Sequence, residues 1–432
     1  MTIAAPLPGE HPTISRLTLR RVAVWSATAL VMIVMPLIFN KGFALSMLSQ
    51  MGIAIIFALS YNMLLGQTGL LSFGHAVYYG LGAFVSAHTL NAIGAGKFNL
   101  PVTLLPLVGG FAGLFFGIIF GYVTTRRSGT PFAMISLGIA EMVAACALMF
   151  PGFFGGEGGI ATNRQVGQAW HGITYGPQIQ VYYLIAGWCF VCMIAMFALT
   201  QTPLGRMANA VRDNPERAKF VGYNPTRVRY LVLCLSSFFA GIAGGLGTIN
   251  YEIVTAENVG VAQSGSVLIM AFVGGVGHFF GPVLGAMLVS FLQSALSSYT
   301  QAWLLYFGSF FVVMILFAPG GIASLLAVHV PAIRAGLFAR LVPGYLLAAV
   351  ALAVPLMSGI ALVEMIYHLE AESEAGSAFK VLWISVDPSR PTVWIVAGIA
   401  FAVGVGLFLF AVRPLKAAWQ SVNAELQARG GV

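Results

Sequence analysis

Long apolar runs separated by short polar segments dominate the pattern of this chain. A membrane-spanning helix needs about 20 predominantly apolar residues. Runs of roughly this length or more lie at 22–39, 43–65, 70–94, 100–124, 131–150, 181–200, 230–250, 265–298, 302–318, 342–366 and 392–412. Gly274-Gly275-Val276-Gly277 breaks the run 265–298, which predicts either two crossings or a re-entrant pair beside one crossing. The pattern predicts an all-α polytopic membrane protein with about 11–12 membrane segments.

Composition supports the membrane assignment. Of 432 residues, 59% are hydrophobic and 8% are charged, whereas a soluble domain carries about a quarter charged residues. Because water must wet the surface of a soluble protein, this apolar excess must face lipid. The net charge of +8 could suggest nucleic acid, but the cations lie between the apolar runs. Membrane topology explains them, and we expect no nucleic-acid partner.

The distribution of Lys and Arg predicts the orientation, because cytoplasmic loops are enriched in these residues. With both termini in the cytoplasm, 16 of the 21 Lys and Arg residues are cytoplasmic, and the inverted topology reverses the count. The loop 201–229 is then inside. The loops 151–180 and 251–264 and a hairpin at 367–391 are outside. That hairpin carries the acidic residues Glu370, Glu372, Glu374 and Asp387.

This topology divides the chain into three parts. Residues 1–21 form a cytoplasmic segment, 22–325 a transmembrane domain, and 326–432 an extension with two further spans and the external acidic hairpin. The first apolar run follows Arg16 and Arg20 but lacks a cleavage site of small residues, so we predict a retained anchor helix.

A polar, glycine-containing stretch separates the second and third runs. Its candidate functional residues are Asn62, Gln67, Ser72, Gly74 and His75. Irregular backbone at membrane depth persists only where protein buries it or where it lines a cavity. Two interpretations stay open: a substrate path or gate, or a short cytoplasmic turn followed by an ordinary helix.

The loop 201–229 carries both signs of charge and regular helix signals. Ala208 to Val211 can form one short helix, and Pro215 can open a second with Asn214 as N-cap and Gly222 as terminator. The regular capping favours a docking surface for a soluble partner over a merely solvated loop.

Few residues suggest chemistry. Glu141 lies well inside a predicted span, where it could serve a proton relay in a stand-alone ion-coupled transporter or be capped by a neighbouring helix. The pair Gly96-Lys97 lacks the remaining residues of a phosphate-binding loop. Cys189 and Cys192 are better interpreted as apolar packing residues than as a redox or metal pair. We predict no catalytic residues, metal or cofactor in this chain.

Three blocks together resemble the permeases of branched-chain amino acid ABC importers, M-type subunit. The first runs from Leu64 to His75 and continues to Gly80-Leu81-Gly82-Ala83. The second runs from Thr202 to Asn224. The third contains Gly274-Gly275-Val276-Gly277, Gly281 to Ala286 and Ala318-Pro319-Gly320-Gly321. Their order and spacing resemble the family over about residues 40–325, but family members usually end soon after the last block, so 326–432 is a departure.

The resemblance implies a transport subunit of the bacterial inner membrane rather than an enzyme. It implies alternating access with a second, similar permease, two cytoplasmic ATPases that bind ATP and Mg, and a periplasmic substrate-binding protein. Branched-chain or other amino acids, or related small carboxylates, would be the solutes. The first and third blocks, including Gly275 and Gly277, would line or gate the path. The second would couple to an ATPase through Arg206, Arg212, Asp213, Asn214, Pro215, Glu216 and Gly222.

Overall fold

The computed structural model describes residues 14–97, 99–166, 174–371, 379–381, 384–386 and 390–429, and most of them are helical. The helices are α1 (Ile14–Ile38), α2 (Gly42–Thr68), α3 (His75–Gly94), α4 (Leu105–Thr124), α5 (Thr130–Met149), α6 (Pro151–Phe154), α7 (Gln178–Gln201), α8 (Pro203–Asp213), α9 (Pro215–Phe220), α10 (Pro225–Tyr251), α11 (Val261–Gly274), α12 (Gly281–Tyr299), α13 (Trp303–Phe317), α14 (Gly321–Arg334), α15 (Val342–Ala371) and α16 (Pro391–Ala428). Short strands are β1 (Ile160–Ala161), β2 (Ile253–Val254), β3 (Phe379–Val381) and β4 (Ile384–Val386). The predicted all-α class is confirmed.

The membrane-spanning helices form a smaller set than the predicted segments. Among the described residues, eight helices are long and apolar enough to cross, or up to nine if α13 and α14, bent by 45°, make one span. The eight are α2, α4, α5, α7, α10, α12, α15 and α16. The remaining predicted runs also contain helices, but α11 and the described apolar part of α1 are short. Helix α3 carries polar residues such as His75, His88 and Asn91.

Helix α10 is the central element, because it packs against α2, α3 and α4. Small residues make this packing possible. A Cβ added at Gly241 would collide with the Gly109 carbonyl of α4, and one at Gly82 of α3 would lie 2.7 Å from the Gly241 Cα. The glycine ladder at Gly109, Gly113, Gly117 and Gly121 faces α10. These glycines therefore allow the backbones of α4 and α10 to approach closely.

The glycine-broken run forms two helices of unequal length. Helix α11 has 14 residues, about 21 Å at 1.5 Å per residue, which is too short for a hydrocarbon core of about 30 Å. Helix α12 is long enough to span. Gly275 has a φ of 106° where α11 ends, and a Cβ at Gly321 would collide with the Gly275 backbone. The third sequence block therefore packs backbone against backbone.

Two loops predicted to lie outside meet in the structure. Strand β1 pairs antiparallel with β2, with Ile160 opposite Val254. The backbone N–H of Arg164 donates to Glu252 Oε1 at 2.9 Å. The loops 151–180 and 251–264 therefore lie at the same end of the helices, as the predicted topology requires.

The chain forms two compact units, one of residues up to 295 with 313–322, and one of 296–312 with 323–432. In the second, α15 and α16 pack together, and Glu364 accepts hydrogen bonds from Thr300 Oγ1 at 2.8 Å and Tyr306 Oη at 2.9 Å. Strands β3 and β4 pair antiparallel within the predicted hairpin. Of its predicted acidic residues, Glu372, Glu374 and Asp387 lie outside the described residues.

Candidate functional site

A polar cavity of about 470 Å³ lies within the first unit. Helices α2, α11 and α12 form its walls, with contributions from α3 and from the segment 251–258 that follows α10. Its polar lining residues are Gln50, Tyr79, Tyr251, Thr255, Glu257, Asn258, Gln263, Ser266, Ser290 and Gln293. Its apolar lining residues are Ile53, Ala54, Phe57, Ile253 and Met270.

Helical periodicity brings these side chains to one place. On α2 the lining residues are 50, 53, 54 and 57, on α11 they are 263, 266 and 270, and on α12 they are 290 and 293. Such spacings of three and four put side chains on the same face of a helix. Isolated polar side chains inside apolar helices face protein or water rather than lipid. The faces of α2, α11 and α12 that carry these polar side chains therefore meet at the cavity.

The polar side chains that α11 and α12 contribute to the cavity are weakly paired, whereas Asn258 accepts from the Thr255 N–H at 2.8 Å. Within the described chain, Ser290 is 1% exposed and its Oγ has no hydrogen-bond partner. Gln293 Nε2 donates to Ser266 Oγ at 3.5 Å, and Ser294 Oγ donates to Gln50 Oε1 at 3.4 Å; both are long for hydrogen bonds. A polar solute could therefore gain hydrogen bonds here without breaking strong internal ones.

Phe57 connects the cavity to the predicted path residues. Its ring lines the cavity, stacks on the His75 ring at 5.5 Å and tilts against Tyr79 at 4.8 Å. His75 is fully buried, and its Nε2 is hydrogen-bonded to Ser60 Oγ at 2.9 Å. The first sequence block therefore packs directly behind the wall of the cavity.

The structure buries five predicted path residues rather than placing them in the cavity lining. Asn62, Gln67, Ser72, Gly74 and His75 are all buried. Two of the N–H groups near the start of α3 are satisfied by neighbouring helices: Phe73 donates to Ser136 of α5, and Ala76 donates to Ser264 of α11, each at 3.0 Å.

The two glycines predicted for the path separate. Gly275 is buried in the break between α11 and α12, whereas Gly277 is exposed in a turn. Neither lines the polar cavity. A path role for the predicted residues stays a prediction, with the buried ones placed to support or gate the cavity.

Helices α8 and α9 form the predicted cytoplasmic element. Asn214 caps α9 by accepting from the Arg217 N–H at 2.9 Å, and Pro215 occupies the first position of the helix. Gly222 follows with a φ of 92°, which favours glycine. These capping predictions are confirmed. Helix α8 is longer than predicted, because Thr202 caps it and Pro203 opens it.

Arg212 holds this element against the membrane helices. Its guanidinium donates to the Gly66 carbonyl in the last turn of α2, and its Nε lies 2.9 Å from Asp213 Oδ1. A cation at a helix C-terminus satisfies a carbonyl that lacks an intrahelical partner and complements the helix dipole. Arg212 therefore binds within its own chain, and like Arg206, Asp213 and Glu216 it is also exposed. The partner contact implied for these residues stays a prediction.

Sequence reasoning missed Phe220 and Val221, which are 90% and 71% exposed at the end of α9. It also missed the cavity, although polar residues at spacings of three and four in apolar runs could have indicated it. Glu364 lies inside the apolar run 342–366 and was overlooked beside Glu141. Glu141 itself is exposed on α5 and has no hydrogen bond or ion pair with any described residue.

Comparisons with known proteins agree with this architecture. A family described as "Branched-chain amino acid transport system / permease component" matches residues 43–319. The chain is similar to the high-affinity branched-chain amino acid transport system permease protein LivM of Salmonella typhimurium and of Escherichia coli. It is 26% identical to each over 332 residues, which cover 72% of this chain and 77% of the relative.

A more distant relative is the fructose import permease protein FrcC of Rhizobium meliloti, 26% identical over 46% of this chain and 58% of that protein. No solved structure matches the chain significantly.

Proposed function

The chain belongs to the family of branched-chain amino acid transport system permease components, and we propose that it is the permease subunit of an ATP-driven importer. The family confirms the resemblance predicted from the three sequence blocks. With eight apolar helices long enough to cross among its described residues, the chain is a multi-pass protein of the inner membrane. Its proposed solutes are branched-chain or other amino acids, or related small carboxylates, carried by alternating access.

The observation that carries the proposal is the continuity of α2 from the cavity to the cytoplasmic element. Gln50 and Phe57 of α2 line the cavity, and Gly66 of the same helix accepts the hydrogen bond from Arg212 of α8. Phe57 and Gly66 are nine residues apart, about 14 Å along a helix. A displacement of α8 would therefore be transmitted through one rigid helix to the wall of the cavity.

The exposed surface of α8 and α9 suits a soluble partner. Phe220 and Val221 project from a loop predicted to be cytoplasmic, where lipid does not explain exposed apolar side chains. Asp213 and Glu216 lie nearby on the same two helices and are exposed. We propose that an ATPase subunit, which binds ATP and Mg, contacts this surface.

The remaining partners follow from the family. A second homologous permease would pair with this chain in the membrane. Two ATPases would bind on the cytoplasmic side, and a periplasmic binding protein would deliver the solute. ATP chemistry would belong to the ATPases, so this chain would act as a transport component rather than an enzyme. Glu141 lies on the exposed face of α5, away from the polar cavity, so nothing in its position favours a stand-alone ion-coupled transporter.

Purification of the tagged chain from its native membrane in mild detergent tests the proposal. We expect a second permease and two ATPases to co-purify. In Phe220→Ala, ATPase recovery and ATP-driven uptake should fall at least about tenfold, because truncating an interface anchor typically costs 2 kcal/mol or more. The neighbouring exposed Lys219→Ala is the matched control and should retain both.

Two outcomes would contradict different parts of the proposal. Wild-type ATPase recovery and uptake in Phe220→Ala would show that the coupling surface lies elsewhere. Purification of the chain alone, with solute movement in liposomes that needs no ATP, would contradict the importer assignment itself.

A further inference from the structure

The described lining of the cavity carries one negative charge and no positive charge. Among the described residues that line it, Glu257 is the one carboxylate, and none is Lys or Arg. Glu257 is exposed in the turn Ala256–Val259 that follows α10. Its carboxylate has no hydrogen bond or ion pair with a described residue, so its charge is available to a solute entering the cavity.

The rest of the lining is neutral. Glutamine, asparagine and serine side chains supply both donors and acceptor oxygens, so they can pair with an ammonium group or with a carboxylate, and Ser290 Oγ is buried and unpartnered in the described chain. The rings of Phe57, Tyr79 and Tyr251 also line the cavity, and aromatic faces attract cations. The carboxylate of Glu257 and these rings therefore favour a positively charged group.

We propose that this cavity is the solute site and that it accepts zwitterionic or cationic ammonium solutes while excluding simple anions, with Glu257 receiving the ammonium group. The inference rests on the proposed function and narrows its solute class. A volume of about 470 Å³ is of the size that small-molecule sites have.

Charge balance gives the physical reason. A solute ammonium group loses hydration when it enters the cavity. The ion pair with Glu257 offsets that cost, because it replaces the lost contacts with water. A carboxylate on the same solute can accept hydrogen bonds from the side-chain amides of Gln263 and Gln293. A solute that carries only a carboxylate would place a second negative charge beside Glu257, which repels it, and would gain no cation in return. The apolar residues Ile53 and Met270 would contact an aliphatic side chain.

Thiol labelling from the external side tests the charge of the cavity without requiring transport. Ser266→Cys, a nearly isosteric change, places a reporter in the lining, and Cys146→Ala removes the half-buried native thiol; the other three cysteines are buried. The two reagents are a methanethiosulfonate with a trimethylammonium group and its counterpart with a sulfonate group. We expect the ratio of their reaction rates, cationic over anionic, to be roughly tenfold higher at Ser266→Cys than at an exposed thiol, because a negatively lined cleft concentrates cations.

Two variants complete the labelling experiment. Ala95→Cys is an exposed reporter at the end of α3 on the same side. In the presence of Glu257→Gln, the ratio of the two labelling rates at Ser266→Cys should fall close to the ratio at Ala95→Cys. The preference at Ala95→Cys itself should not respond to Glu257→Gln. Equal rates for both reagents at Ser266→Cys, or a preference insensitive to Glu257→Gln, would overturn the proposal.

Protection by small probes tests the solute class. At millimolar concentration L-leucine and isoamylamine should slow labelling of Ser266→Cys, whereas 4-methylpentanoate, which has the leucine skeleton without the ammonium group, should not. Equal protection by 4-methylpentanoate, or protection by none of the three, would overturn the assignment. ATP-driven uptake in the parental chain is measured separately, and its absence would contradict the proposed function instead.

Discussion

Helices α10 and α16 are both apolar and contain several glycines, yet they occupy opposite environments. The apolar window of α10 is 89% buried, whereas that of α16 is 11% buried. On α10, Gly241 and Gly244 press against the backbones of α4 and α3. On α16, Gly398 and Gly406 have open space where a side chain would stand. Glycine therefore sets close packing along α10. On α16 it does so at Gly404, where a Cβ would lie 2.7 Å from the Pro355 backbone nitrogen of α15, but not at Gly398 or Gly406.

The largest effect should come from filling that close contact. Gly241→Leu would force α10 away from the Gly109 carbonyl and the Gly113 Cα. Overpacking of this kind typically costs 1–3 kcal/mol and occasionally more, and here the obstacle is backbone, so we expect about 3 kcal/mol or more and loss of folded protein. Thermal unfolding and elution as a single species in detergent measure this.

Gly406→Leu is the matched control in α16 and should leave both measurements unchanged, because its added side chain meets no neighbour. Equal destabilisation by the two changes would show that glycine content, rather than local packing, controls stability.

The contrast also shows what sequence can and cannot predict. The apolar runs, the glycine-broken segment and the caps of α9 follow from local rules of length, hydropathy and backbone conformation, and they were predicted. Which face of each run is buried depends on distant partners. Gln50 lies on α2, far in the chain from Gln263 and Gln293 on the consecutive helices α11 and α12. The spacing of polar residues can mark a face on each helix, but the convergence of these faces on one cavity could not be predicted from any single segment.

The same limit applies to the residues predicted for the path and for the coupling element. His75 and Ser72 interrupt an apolar run, and the structure shows that such an interruption also marks a buried helix junction with hydrogen bonds to neighbouring helices. The resemblance assigns Arg212 to a partner, and the local sequence does not show that the carbonyl end of α2 lies within its reach. Both roles stay predictions.

An intermediate effect should come from the polar contact of the C-terminal unit. Glu364→Leu would leave the hydroxyls of Thr300 and Tyr306 without their acceptor, which costs about 1–3 kcal/mol when such groups are buried. Hydrogen exchange across 300–306 should accelerate accordingly. Glu364→Gln retains an acceptor oxygen and should be milder. If Glu364→Leu accelerates hydrogen exchange across 300–306 no more than Glu364→Gln does, these two hydrogen bonds do not stabilise the C-terminal unit, and apolar packing alone holds it together.

The smallest effect should come from Glu141→Gln. Its carboxylate is exposed on α5 and makes no hydrogen bond or ion pair with the described residues, so the change removes a charge without breaking a contact within the chain. A surface substitution usually alters stability by less than about 0.5 kcal/mol, and we expect uptake to change less than about twofold. Uptake is measured in cells with and without a proton gradient. If Glu141→Gln makes uptake independent of that gradient, the carboxylate carries protons, and an exposed helix face rather than the packed centre around α10 would hold the transport chemistry.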